Sequence, residues 1–285
     1  MTRPSATPML GGMTDTRAPR IAIFDSGIGG LTVAAAIHAS LPGASLRYLG
    51  DTARLPYGSK SAETVTRYAL QASRALLADD GADALVVACN TASSCALPAL
   101  EAEFDLPVLG VIAPGARRAV ASAARGSLVG VIGTERTIAS GAYGHAIAAI
   151  APGLEVSACA TPLLVALAEE GFFAGPLVDA ALDAYLDPWL GGAAARKLGA
   201  LVLGCTHFPV LAPAIAAWLA RRGMPNVALV DSALAIAEEL AMRFPTAGKG
   251  QGAVELLATD GLERFRRVGS RFFPLDNARL QLVDL

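Results

Sequence analysis

From residue 20 onward, short apolar runs alternate with alanine-rich amphipathic stretches, and that alternation restricts the chain to helices layered on parallel sheets. Strands are predicted at 21–24, 46–49, 85–88 and 107–111, with helices at 31–40 and 63–79 and Gly81 as a helix terminator. A second series follows: strand 128–132, helix 138–150, a strand near Val156, helices 162–170 and 177–190, and strand 200–203. A helix at 213–221, a strand at 227–230, a helix at 233–243 and strands at 254–258 and 271–274 complete the reading. Runs such as Ala-Leu-Val-Val are apolar on both faces, as parallel strands covered by helices on both sides must be.

The order strand, polar turn, helix, then a strand ending in cysteine occurs twice, at 21–89 and at 128–205. Two related lobes facing one another account for this. Residues 20–113 with 226–285 form a discontinuous first α/β domain and 114–225 a second. Residues 1–19 read as a disordered extension, with Met13 an alternative start. At 285 residues the length suits two domains.

Composition narrows the partners. A formal net charge of −2, with arginines scattered in short clusters such as Arg117-Arg118, gives no basic face for nucleic acid. Gly, Pro, Asp or Arg interrupts every apolar stretch before the roughly 18 residues of a membrane span. Four cysteines without Cys-x-x-Cys spacing fit a reducing cytoplasm and not a disulfide scaffold. His38, His145 and His207 form no metal-ligand pair.

Two of those cysteines end predicted strands and are followed by small polar groups, in Ala-Cys89-Asn90-Thr91 and Gly-Cys205-Thr206-His207. Ligands of open α/β sheets bind beyond the carboxyl ends of strands, so both thiols stand where chemistry is done. A buried cysteine is most often inert, but two at equivalent places suggest an acid and a base from opposite lobes. Cys95 and Cys159 lack this setting and read as structural. An unperturbed thiol titrates near pH 8.5 (about), so a basic neighbour is useful: His207 for Cys205 and Asp25 for Cys89. His207 can equally be a structural histidine.

After the first strand, Asp25-Ser26-Gly27-Ile28-Gly29-Gly30 opens a helix, where backbone amides and a hydroxyl can hold an anion. The competing reading is a dinucleotide fingerprint with Asp51 as the ribose acid, but it needs glycine at position 32, which is Thr32. Residues 51–58, with Asp51, Arg54 and Tyr57, form a turn-rich loop suited to a zwitterion or to an ordinary surface turn.

Taken together these segments resemble the aspartate/glutamate racemase superfamily, and within it the glutamate racemases. The matching stretches are Phe24-Asp25-Ser26-Gly27-x-Gly29-Gly30, Gly50-Asp51 with Pro56-Tyr57-Gly58, Ala88-Cys89-Asn90-Thr91-Ala92-Ser93, Gly133-Thr134-x-x-Thr137, Glu169-x-Gly171 and Leu203-Gly204-Cys205-Thr206-His207-x-Pro209. Phe208 stands where tyrosine is common, and the extension before residue 20 has no counterpart. The resemblance implies two pseudo-twofold-related α/β domains with mainly parallel sheets and the active site between them. It implies an isomerase that interconverts L- and D-glutamate without cofactor or metal, supplying D-glutamate for peptidoglycan from the cytoplasm as a homodimer. Carried onto this chain, it implies Cys89 and Cys205 as the acid/base pair, Asp25, Asp51 and Glu169 as auxiliary acids, and His207 as the imidazole assisting a thiol. It implies substrate contacts from Asp25, Ser26, Pro56, Tyr57, Gly58, Asn90, Thr91, Thr134, Thr206 and His207. A relative acting on aspartate, a hydantoin or an arylmalonate is the nearest alternative, and a dinucleotide- or anion-binding module the alternative from another class.

Overall fold

A computed structural model describes residues 17–78, 81–124, 127–192, 197–248, 250–276 and 278–285. The extension read as disordered lies, up to residue 16, outside the described residues. The chain begins with β1 (Arg20–Asp25), α1 (Leu31–Ser40), β2 (Ser45–Gly50), α2 (Ala62–Leu76) and β3 (Ala84–Val87). It continues through α3 (Asn90–Cys95), α4 (Leu97–Glu103), β4 (Val108–Gly110) and α5 (Ile112–Ser122). The second series is β5 (Leu128–Gly133), α6 (Glu135–Ala139), α7 (Ala142–Ile150), β6 (Glu155–Ala160), α8 (Pro162–Glu170), α9 (Pro176–Trp189) and β7 (Leu198–Gly204). Then come α10 (Ala212–Arg221), β8 (Ala228–Asp231), α11 (Ser232–Arg243), β9 (Val254–Ala258), α12 (Leu262–Gly269) and β10 (Arg279–Leu282).

These strands form two parallel sheets, ordered β10-β9-β2-β1-β3-β4 and β6-β5-β7-β8. The inner order β2-β1-β3-β4 of the first repeats as β6-β5-β7-β8 in the second. Each sheet is covered on both faces. Along β1, Ile21 and Ile23 enter one core while Ala22 and Phe24 enter the other, the period of two that a strand imposes. Along β5, Leu128 and Ile132 face one core and Val129 and Val131 the opposite one.

The structure differs from the sequence reading at four places. The helix predicted at 138–150 is split, because Gly141 adopts the left-handed conformation (φ 65°) that ends α6 and starts α7 in a new direction. The strand predicted at 227–230 is not part of the returning first lobe, since β8 pairs with β7 in the four-stranded sheet. The chain crosses back only at α11, which packs on both α1 and α5. Residues 271–274 form no strand: the amides of Phe272 and Phe273 both donate to the Gly269 carbonyl at 2.9 Å in a turn, and the last strand is β10. Ahead of that turn lies the unforeseen α12, whose Phe265 and Val268 are buried.

Candidate active site

Strand register decides what meets at the carboxyl ends of the sheets. Phe24 pairs with Val87, so Ser26 stands across from Cys89 two residues further on. The thiol of Cys89 donates to Ser26 Oγ at 3.3 Å and accepts from the Ala92 amide at 3.4 Å, so Cys89 also caps α3. In the second sheet Gly133 pairs with Gly204, which puts Thr134 across from Cys205. Thr134 caps α6, its Oγ1 accepting from the Thr137 amide at 3.2 Å. The two sheets thus present equivalent pairs, Ser26 with Cys89 and Thr134 with Cys205.

One narrow cavity takes its walls from both sheets and contains both thiols. Ser26, Pro56, Tyr57, Gly58, Asn90, Thr91, Thr134, Glu169, Thr206 and His207 line it, all of them foreseen. Gly27, from the glycine motif after β1, lines it as well, as do Leu55 and Val165, which carry no sequence signal of their own. A wider cleft bounded by Ser59, Glu135, Pro162 and Ala166 continues outward from Leu55, Pro56, Gly58, Thr134, Val165 and Glu169.

Cys205 is the thiol with ionisable groups aligned behind it. Its Sγ lies 3.6 Å from His207 Nδ1, and His207 Nε2 lies 3.1 Å from Glu169 Oε1. Burial disfavours the imidazolium, but the bonds to Cys205 and Glu169 outweigh it and raise His207 to about 10. Burial would likewise raise Glu169, and His207 and Arg264 together hold its carboxyl below the ordinary range. At neutral pH a protonated imidazole therefore faces Cys205. Thr32 Oγ1, on α1, donates to the Thr206 carbonyl at 2.9 Å and ties this turn to the other lobe.

Cys89 has the opposite setting. Burial, reinforced by the Asp25 charge, pushes its thiol up to about 12, against the weaker pull of Ser26 and the Ala92 amide. Asp25 is thus not the thiol-activating neighbour that the sequence suggests. Its Oδ2 accepts from the Gly27 amide at 3.0 Å and from Tyr48 Oη at 3.4 Å, and burial raises its own pKa. Asp25 lies beneath the cavity wall, completely buried. Asp51 is also fully buried and is not at the thiols: Arg54 Nε donates to its Oδ2 at 2.7 Å, Thr259 Oγ1 to its Oδ1 at 3.1 Å, and Tyr57 Oη to Oδ2. What Asp51 does is hold Tyr57 and the 51–58 loop in place. Its burial there also removes the ribose acid that a dinucleotide site needs.

The remaining groups form two small networks across the lobes. Asn90 Nδ2 donates to Tyr143 Oη at 2.8 Å, and Tyr143 shares a hydrogen bond of 2.8 Å with Ser232 Oγ. Thr91 Oγ1 lies 2.9 Å from Thr134 Oγ1 and 3.3 Å from Thr137 Oγ1. Tyr143, Thr137 and Ser232 carry no site signal of their own in the sequence, although Thr137 ends the Gly133-Thr134-x-x-Thr137 stretch. Among the described residues no group of three or more His, Cys, Asp or Glu side chains is placed to hold a metal ion. Among them, too, no helix is long and apolar enough to cross a membrane.

Known proteins bear on this geometry. Residues 31–240 match the family described as Asp/Glu/Hydantoin racemase. A glutamate racemase of Koribacter versatilis is 42% identical over 94% of this chain and 98% of its own length. The crystal structure of glutamate racemase from Thermus thermophilus in complex with beta-chloro-D-alanine has a TM-score of 0.81 at 41% identity, covering 95% of this chain and 99% of that one. That of the Francisella tularensis enzyme in complex with D-glutamate has a TM-score of 0.82 at 32% identity, covering 94% and 98%.

Proposed function

The chain belongs to the Asp/Glu/Hydantoin racemase family, and we propose that it is a glutamate racemase that inverts the α-carbon between two thiols, Cys89 and Cys205. The observation that carries this reading is that the thiols come from equivalent strand ends of two similarly ordered sheets and line one cavity. Inversion requires removal of the α-proton from one face and delivery of a proton to the other, which a single base cannot readily do. A thiolate on one side takes the α-proton, the electron pair stays on carbon, and the thiol opposite protonates that carbon. Each turnover leaves the enzyme with the two protonation states exchanged.

Burial holds Cys89 as the thiol, which makes it the resting donor, and Cys205, 3.6 Å from His207 Nδ1, is the second sulfur across the cavity. The α-proton of an amino acid is far less acidic than a thiol, so most of the barrier must fall through preorganised donors as charge builds at carbon. Ser26, Asn90, Thr91, Thr134 and Thr206 supply hydroxyls and an amide around the cavity for the substrate's carboxylates, with the substrate's ammonium group retained. Tyr57 and Gly58 also line the cavity, and Asp51 holds the Tyr57 hydroxyl.

The reaction and the likeness to glutamate racemases support a role in supplying D-glutamate for peptidoglycan. We read the protein as a cytoplasmic homodimer, a state supported by the family and, for the compartment, by four free cysteines. The two lobes are taken as separate folding domains meeting at the cavity.

The test is α-proton exchange in deuterated water with each glutamate enantiomer, followed by NMR and circular dichroism. Wild type should exchange the α-position and drift to a racemic mixture with no added cofactor. Cys89→Ser and Cys205→Ser should each lose racemisation. A strict requirement for pyridoxal phosphate, or undiminished racemisation by either variant, would refute the two-thiol reading. A panel with aspartate and hydantoins checks the substrate.

A further inference from the structure

The relay behind Cys205 does not end at Glu169. Glu169 Oε1 faces His207, while its Oε2 accepts from Arg264 Nη2 at 2.8 Å. Arg264 belongs to α12, in the segment that returns to the six-stranded sheet, so the contact joins that lobe to the end of α8. Two further residues of the same segment close on the relay. Arg271 Nη1 reaches the Glu169 carbonyl at 3.5 Å and packs so tightly on Gly171 that a Cβ there would lie 2.0 Å from it. Phe272 sets its ring edge-on to the His207 imidazole, with centroids 6.0 Å apart at 89°.

A carboxylate bonded through one oxygen can swing about its side chain. Bonded through both, to groups on different elements, it is fixed. The Glu169 side chain is only 14% exposed, where an unanchored charge is costly, while Arg264 is 44% exposed and can be changed without opening a cavity. Partners of this outer kind orient catalytic imidazoles elsewhere in protein chemistry.

We propose that Arg264 is a positioning residue for racemisation: by holding Oε2 of Glu169 it keeps Oε1 on His207, and so keeps the imidazole on Cys205. The inference rests on the functional reading above. It makes the C-terminal segment part of the acid/base relay. The charged or titratable groups facing Glu169 and His207 from the packed elements are Cys205, Arg264 and Arg271, with Glu170 sharing Arg264 at 3.6 Å and Asp25 acting on His207 by charge.

Arg264→Gln tests this in the full-length protein, beside Arg264→Lys, Glu169→Gln and the Glu169→Gln/Arg264→Gln double variant. Arg267→Gln, exposed on the same helix, serves as the control that should leave activity unchanged. Arg264→Gln should lower kcat about tenfold with KM little changed, the scale expected on losing an outer partner of a catalytic group. Because Arg264 helps to hold the Glu169 carboxyl low, the acid limb of kcat/KM should move to higher pH. Arg264→Lys should restore most of both. In the Glu169→Gln background the Arg264→Gln change should cost nothing more. A loss below twofold, an unmoved acid limb, or a loss of equal size in the Glu169→Gln background would overturn the proposal. Failure of the wild type to racemise glutamate would instead overturn the functional reading, and this inference with it.

Discussion

At Gly29 the two lobes come as close as atoms allow. A Cβ built there would lie 2.5 Å from His207 Cε1 and Nδ1 and 2.6 Å from Thr206 Oγ1, so only glycine lets the Cys205-Thr206-His207 turn settle against the first loop. The glycines of that loop were legible as a motif, but their purpose was not. They admit an imidazole, not a pyrophosphate, and the Gly27 amide, which an anion would need, is already given to Asp25. Gly29→Ala should therefore displace His207 from Cys205. A shift near 1 Å at a catalytic group costs on the order of 10²-fold in rate, and the added methyl about 1–3 kcal/mol of stability. Steady-state kcat and a urea midpoint measure the two effects separately. A Gly29→Ala enzyme within tenfold of wild type would mean that the His207 contact has room to relax.

At the scale of elements, the sequence was most informative where one strand and one turn settle the outcome, and least where two distant segments must meet. Cys89 and Cys205 are legible because a fully apolar run ends at each and small polar residues follow, whereas Thr134, which caps α6, is named only by resemblance. Residues 271–274 misled because Phe272 and Phe273 are apolar for contacts with His207 and His38, which no local pattern reveals. The helix α12 was hidden by its shortness, with Leu262, Phe265 and Val268 set among charges. Glu169 was named by resemblance, yet its tie to Arg264 spans 95 residues and has no local signature. The same holds for α7, which begins afresh after Gly141 and brings Tyr143 between Asn90 and Ser232. Tyr143→Phe keeps the ring and removes both bonds, leaving two buried polar partners unpaired. Denaturation by urea should show a loss of about 1–3 kcal/mol. The KM for glutamate should rise several-fold as Asn90 loses its anchor. An unchanged KM would remove Asn90 from the substrate contacts or show that its amide is held by other means.

Across the whole molecule, a duplicated fold carries an unduplicated electrostatic field. Ser26 with Cys89 and Thr134 with Cys205 match by register, but an imidazole, a carboxylate and a guanidinium stand behind Cys205 alone. The reaction proposed has an equilibrium constant of one, because enantiomers have equal free energy in water. That equality forces kcat/KM to be the same in both directions whatever the protein does to either thiol. The asymmetry must then appear in protonation rather than in the direction of catalysis. Cys89 supplies the cleanest case, its thiol moved from 9.0 to about 12 chiefly by burial. In the unfolded chain it releases its proton near its ordinary value, whereas the folded chain retains it. Between the two values the native state binds the extra proton, so stability falls as pH rises through that window. Tyr48, Tyr57 and Tyr143 are raised as well and add losses of the same sign, but only above their ordinary value of 10.0. From about pH 9 to 10 Cys95, Cys159 and His207, all raised, add losses of the same sign, so it is the comparison with Cys89→Ser that isolates the Cys89 share. Wild type should lose stability there faster than Cys89→Ser, with the gap growing at up to about 1.4 kcal/mol per pH unit. Urea midpoints taken for both proteins at intervals from pH 8 to 10 measure the gap. Parallel curves would mean that Cys89 is ionised in the native state and is not the resting donor.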